Sequence, residues 1–160
     1  MMTFEIIGYQ PDETEAKYLA YWLFMYIGNG MNPTDMAQLR YLDLRSDRIL
    51  FVREKTKRTN RESTLIEVHL LPKMKEIIQA WGNPVNPDNY IFQVLEPGMD
   101  ALKRKRTVQQ FVKQINKYMR RIGQKLQIDR DHYLRGQAQL CDQTNFRGRH
   151  FDGNQVHDRP

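Results

Sequence analysis

The stretch from Gly28 to Thr59, GNGMNPTDMAQLRYLDLRSDRILFVREKTKRT, sets a capped helix directly before a basic β-hairpin. Asn32 can cap a helix and Pro33 suits the first helical position. Asp35 adds a carboxylate to the first turn, where the helix dipole favours negative charge. Met36, Leu39 and Leu42 recur at helical spacing and predict a helix from about Asn32 to Leu42. Ile49 to Arg53 then reads as a short buried strand. Thr64 to Leu70 reads as a second, and the polar run Glu54 to Ser63 joins the two.

Working outward, a helix is predicted from about Glu13 to Ile27, with Leu19, Trp22, Leu23 and Tyr26 on one face and Gly28 and Gly30 ending it. Pro72 opens another helix that runs to Trp81. GNPVNPDN is a loop, and YIFQVL (90–95) reads as a short buried strand. A long helix is expected from about Arg106 to Leu126, with Val108, Phe111, Val112, Ile115 and Met119 turned inward. These elements predict a mainly α fold with a small antiparallel hairpin sheet, of the α+β class. No internal repeat or low-complexity stretch interrupts them.

A length of 160 residues suits one domain with a buried core. The net charge of +6, with a sequence pI near 9.5, suggests a polyanionic partner. A single cysteine, Cys141, excludes an internal disulfide framework and fits a reducing cytosol. The apolar run Tyr18 to Ile27 is too short to span a bilayer, and no cleavable signal precedes it. The expectation is a cytoplasmic protein with no membrane partner.

Basic residues gather in two places. From Ala101 to Gln127 there are nine lysines and arginines (Lys103, Arg104, Lys105, Arg106, Lys113, Lys117, Arg120, Arg121 and Lys125) and no carboxylate. Lys55, Lys57, Arg58 and Arg61 form a second run in the hairpin connection. One such run is compatible with a solvated helix face; two together point to side chains that track phosphates.

The capped helix followed by a basic hairpin resembles the start of a tyrosine recombinase (phage integrase) catalytic domain, closest to the bacterial mobile-element type, over about residues 14–128. In that family a G-[LM]-R turn opens a helix carrying the first catalytic arginine, and a hairpin with an [RG]-x-K-[TG] pattern presents a catalytic lysine. Here GMN stands where GMR is expected, and REKTKR supplies the lysine.

The resemblance implies DNA integration or site-specific recombination through a phosphotyrosine intermediate. It also implies double-stranded DNA as partner, other recombinase protomers on that DNA, and neither metal nor organic cofactor. Cations around the pentavalent transition state would supply its stabilisation.

Carried over residue by residue, Lys55 matches the hairpin lysine, whose ammonium can protonate the leaving hydroxyl; Lys57 is the alternative. The first arginine falls on Asn32, or on Asn29 in relatives that write the motif RGM. Either amide can donate a hydrogen bond to phosphate but lacks arginine's charged bidentate fork. The competing reading of Asn32 is a helix cap, and of Lys55 a solvated turn residue. Lys57, Arg58, Arg61, Lys103, Arg104, Lys105, Arg106, Lys113, Lys117, Arg120 and Arg121 are the expected DNA contacts. His69 sits at a strand end and reads as structural.

From about Asp129 the chain has few aliphatics, no sustained period and abundant Gly, Asp, Asn and Arg. His132, His150 and His157 show no zinc-ligand spacing, and Tyr133 precedes the place of the second arginine, the wrong order for a nucleophile. The family would place [YH]-x-x-R-H-x-F-A-T here. Codons read one base later permit Tyr at Leu134, Ala at Gly136, Lys or Arg at Gln137 and His at Ala138. They continue with Asn or Ser at Gln139, Phe at Leu140, Ala at Cys141 and Thr at Asp142. The same shift permits Gly at Arg159 and His at Pro160, the Gly-His that the family places later.

The tail 129–160 is therefore expected to be disordered or out of frame, beyond a partial catalytic domain over 1–128. In either frame the tyrosine nucleophile is expected beyond Pro160. The expected chain is a catalytically defective recombinase relative; the alternative is a non-catalytic DNA-binding module. A protein-interaction domain without nucleic acid would leave both basic runs unexplained.

Overall fold

A computed structural model describes residues 9–52 and 65–128. In chain order these form α1 (Glu13–Ile27), α2 (Pro33–Gln38), a 3-10 turn (Tyr41–Asp43), β1 (Arg48–Val52), β2 (Leu65–His69), α3 (Pro72–Trp81) and α4 (Ala101–Lys125). The fold is mainly helical with a two-stranded antiparallel sheet, the α+β class expected from the periodicities. β1 and β2 pair in the register Arg48↔His69 to Val52↔Leu65. The hairpin connection holding Lys55, Lys57, Arg58 and Arg61, and the tail from Asp129, lie outside the described residues.

α1 begins where Asp12 accepts from the Glu15 amide at 2.8 Å while the Glu15 carboxylate accepts from the Asp12 amide at 3.2 Å, a reciprocal cap. The helix packs on both α3 and α4, so its burial is not the single stripe expected from the sequence. Of the four residues assigned to that stripe only Leu19 is buried. Trp22 and Leu23 are half-buried, and Tyr26 is 56% exposed, stacked flat on Trp22. Tyr21, Phe24 and Met25 go inward instead. The rings of Tyr21 and Phe24 meet Phe92 edge-on at 5.1 and 4.9 Å, and Tyr21 also meets Phe111 at 5.8 Å.

Three further expectations need correction. α2 stops at Gln38 rather than Leu42, because Leu39 turns extended and its carbonyl accepts from the Ile91 amide at 2.8 Å. Tyr41 and Leu42 likewise donate their amides to the carbonyls of Asn89 and Pro87, and Leu42 is 43% exposed. Segment 90–95 is buried but is not a strand. Tyr90 bridges Arg40 and Phe92 bridges Gly82, single pairings to two different neighbours that no ladder can extend. At Gly82 a Cβ would strike both the Ile78 carbonyl and the Tyr41 hydroxyl, so this crossing requires glycine.

α4 starts at Ala101, five residues before the expected Arg106, because the Asp100 side chain accepts from the Lys103 amide at 2.8 Å and caps it there. The run Lys103 to Arg106 therefore belongs to the helix. Val108, Phe111, Ile115, Met119 and Ile122 form its buried stripe; Val112 is only half-buried.

α1 and α4 are tied by Glu15, a residue wholly buried at 0% exposure. Its carboxylate accepts from Tyr9 Oη at 2.5 Å and Lys125 Nζ at 2.6 Å, and lies 3.1 Å from Arg121 Nε. Burial pushes this carboxyl up, but the hydrogen bonds from Lys125, Tyr9 and the Asp12 amide outweigh it and hold it below its usual value of 4.5. A depressed folded-state pKa contributes stability above the unfolded value and loses it as pH falls through the folded one. Resistance to denaturant should therefore be level near neutrality and decline below about pH 4.5. Glu15→Gln should lower stability at neutral pH by about 1–3 kcal/mol and flatten the acid decline. Denaturation midpoints between pH 7 and pH 3 measure both, and an unchanged acid limb in the variant would contradict the assignment.

Candidate nucleic-acid interface

Asn32, the residue that the sequence resemblance sets at a first-arginine position, caps α2: its Oδ1 accepts from the Thr34 amide at 2.8 Å. The capping reading is what the geometry shows, and only the amide NH2 remains free to donate elsewhere. Asn29 is exposed and left-handed at φ 58°, one residue before Gly30 at φ 67°, in the turn that reverses the chain after α1. Its amide tolerates that conformation better than most side chains. Lys55, Lys57, Arg58 and Arg61 fall outside the described residues.

The second basic run is fully described, and the helix sorts it into classes. Arg106, Lys113, Lys117 and Arg120 are exposed and follow one another at seven, four and three residues, which puts them on the outer face of α4 opposite the Val108–Ile122 stripe. At about 1.5 Å rise per residue this row is about 21 Å long. Lys103 and Lys105 flank it, also exposed. Among the described residues none of these six cations lies within ion-pair distance of a carboxylate. Lys117 rests its Nζ 5.6 Å from the centre of the Tyr118 ring, which stacks in turn on Tyr18 at 4.6 Å.

Arg121 and Arg104 belong elsewhere. Arg121 is held by Glu15, with Lys125 beside it, so its charge is spent on the α1–α4 junction. Arg104 is partly buried, donates Nη2 to the Met99 carbonyl at 3.3 Å, and lines a cleft of about 350 Å³ with Arg40, Asp35 and Asp43. Arg40 lies over the Tyr90 ring at 5.0 Å. Among the described residues that line this cleft, two arginines are matched in number by two aspartates, a poorer counter-surface for a polyanion than the outer face of α4.

Lys17, Gln110 and Gln114 were not singled out in the sequence. They line a groove between α1 and α4 beside Arg106. Glutamines carry no charge or periodic signal, and only the crossing of the two helices gathers them. Among the described residues no His, Cys, Asp and Glu cluster could hold a metal ion, and no helix is long and apolar enough to cross a membrane.

No family model, curated protein or solved structure matches the chain.

Asn32 offers a direct test of the cap. Asn32→Ala should cost about 1 kcal/mol of stability, whereas Asn32→Asp should retain the cap and cost little. Equal losses in both, measured by thermal denaturation, would show that the side-chain acceptor is not what matters at this position.

Proposed function

We propose that the chain binds duplex DNA without strong sequence preference, through the outer face of α4. The observation that carries this is the row Arg106, Lys113, Lys117 and Arg120: four exposed cations on one line, on a helix with no carboxylate from end to end. A carboxylate-free basic face carries only like charges, which repel one another along the helix, and the ligand that best relieves a row of them is a linear polyanion. Duplex DNA presents phosphates about every 3.4 Å along each strand, so a row about 21 Å long can meet several of them.

The same reading takes the chain as a relative of tyrosine recombinases, enzymes that integrate and recombine DNA through a phosphotyrosine. It is supported by the order of capped helix, hairpin and long basic helix. It also takes this chain as catalytically defective, since the residue at the first-arginine position is an uncharged cap. Lys55 is then the remaining candidate for leaving-group protonation.

Titration of a labelled duplex at several salt concentrations tests the binding. With four phosphates neutralised, the logarithm of affinity should fall against the logarithm of salt with a slope near −4. Lys113→Gln with Lys117→Gln should reduce the steepness by about 2 and leave thermal stability nearly unchanged. Arg121→Gln should do the reverse, lowering stability through Glu15 with little change in slope. Binding that is independent of salt, or absent at low salt, would overturn the proposal.

A further inference from the structure

We infer that the groove between α1 and α4 is a pocket for an unpaired nucleobase, placed so that a strand tracking the α4 cations can lodge a base beside them. The inference rests on the DNA-binding reading above and names a second mode of contact for it. The groove is shallow and open to solvent, with a volume of about 410 Å³, and its walls carry three kinds of group in close company.

The first kind is aromatic. Tyr18, Tyr21 and Phe111 line the groove. Tyr18 is only partly buried, and Tyr21 meets it edge-on at 6.2 Å and Phe111 at 5.8 Å. Tyr21 and Phe111 are buried, so the ring a base can reach is Tyr18, which is partly exposed and already stacks on Tyr118 at 4.6 Å. An accessible ring accepts any base by its π-face, because stacking needs no particular edge. The second kind is amide. Gln110 and Gln114 sit one helical turn apart on α4, and Gln93 faces the same space from the loop. Each amide both donates and accepts, and base edges offer both complements. The third is cationic. Lys17 on α1 and Arg106 on α4 stand on the two walls, and Arg106 is also the first member of the phosphate-tracking row.

An independent observation marks the place as incomplete without a ligand. Tyr21 is 1% exposed, yet its hydroxyl has no hydrogen-bond partner. Buried hydroxyls almost always have one. Burial holds this phenol well above its ordinary range, so it remains a donor at neutral pH. A base carbonyl or ring nitrogen entering the groove would supply the missing acceptor. The cleft containing Arg40 and Arg104 also holds aromatic rings, an amide and a buried unpartnered nitrogen, Arg104 Nε, but differs in the carboxylates of Asp35 and Asp43, which would repel a nucleotide's phosphate.

The test compares two single strands of equal length and charge: a thymidylate dodecamer and the same sugar-phosphate backbone without bases. Binding of each to the full chain is measured at one low salt concentration, with a duplex of the same length as reference. The thymidylate strand should bind on the order of tenfold more tightly than the abasic one. Gln110→Ala with Gln114→Ala, both compatible with a helix, should erase most of that difference and leave the abasic strand's affinity unchanged. Tyr21→Phe keeps the ring and should narrow the difference by a smaller factor. Equal affinity for the two strands, with duplex binding intact, would overturn the pocket and leave the DNA-binding reading standing. A preference for thymidylate that survives all three substitutions would overturn the assignment to this groove. Failure of all three nucleic acids to bind would remove the DNA-binding reading and the pocket together.

Discussion

The described part of the molecule depends on one carboxylate. Glu15 lies wholly buried where the first turn of α1 meets the last turn of α4, and three side chains from either end of the chain converge on it. An ionised carboxylate stripped of water is costly unless its lone pairs are filled. Here they are filled by a phenol, an ammonium, a guanidinium and the cap amide of its own helix. The lysine and arginine stay half-exposed, with 41% and 52% of their side chains accessible, so the cluster buries one charge and shares the compensation with solvent. It fixes the crossing of α1 and α4, and with it the groove lined by both helices.

α4 carries two incompatible demands along its length. Its inner face must pack Phe111, Ile115 and Met119 against α1. Its outer face lines up like charges at three- and four-residue spacings, Lys103 with Arg106, Lys113 with Lys117 and Lys117 with Arg120. Each such pair destabilises a helix by about 0.2–0.5 kcal/mol at low salt. Burial of the apolar stripe, about 1.5–3 kcal/mol for each large side chain, outweighs this easily. The helix is therefore stable despite its charge pattern, and the repulsion is available to be relieved when an anion approaches. A helix selected only for solubility would intersperse carboxylates, as α3 does where Lys73 pairs with Glu76 at 3.0 Å.

Much of this architecture was legible in the sequence, and the failures have physical causes. α1, α3 and the hairpin were readable because caps, Pro at the first turn and alternation are local signals. The bounds of α1 and α3 match the reading, and the strands fall within one residue of it wherever they are described. The start of α4 lies before the expected Arg106 because the Asp100 cap begins the helix at Ala101, ahead of its first apolar repeat. α2 was read too long because Leu39 and Leu42 keep helical spacing. What stops the helix is a partner fifty residues away in sequence, the Ile91 amide, and no local pattern encodes it. The same cause defeated the strand at 90–95, whose burial was right and whose pairing was not. Of the candidate site, the exposed cations of α4 were legible from the carboxylate gap alone. The diversion of Arg121 to Glu15, and the gathering of Lys17, Gln110 and Gln114, depend on how two helices cross and left no trace in either helix by itself.

Position 32 shows how fold and chemistry compete for one side chain. An N-cap must place an acceptor within reach of the next amides, and asparagine does so through Oδ1. Arginine has no acceptor, so a chain with arginine here would leave the first turn of α2 to be satisfied by water or by a bound phosphate. In the recombinase reading that is a sensible exchange, because the uncapped amides and the guanidinium would then face the same anion. Asparagine reverses it, giving α2 its own internal cap and removing the charge that would call an anion to that turn. Among the described residues the row of exposed cations lies on α4, well separated in sequence from α2. Under the proposed function, the surface that meets nucleic acid therefore runs along one helix and does not sit at the end of another.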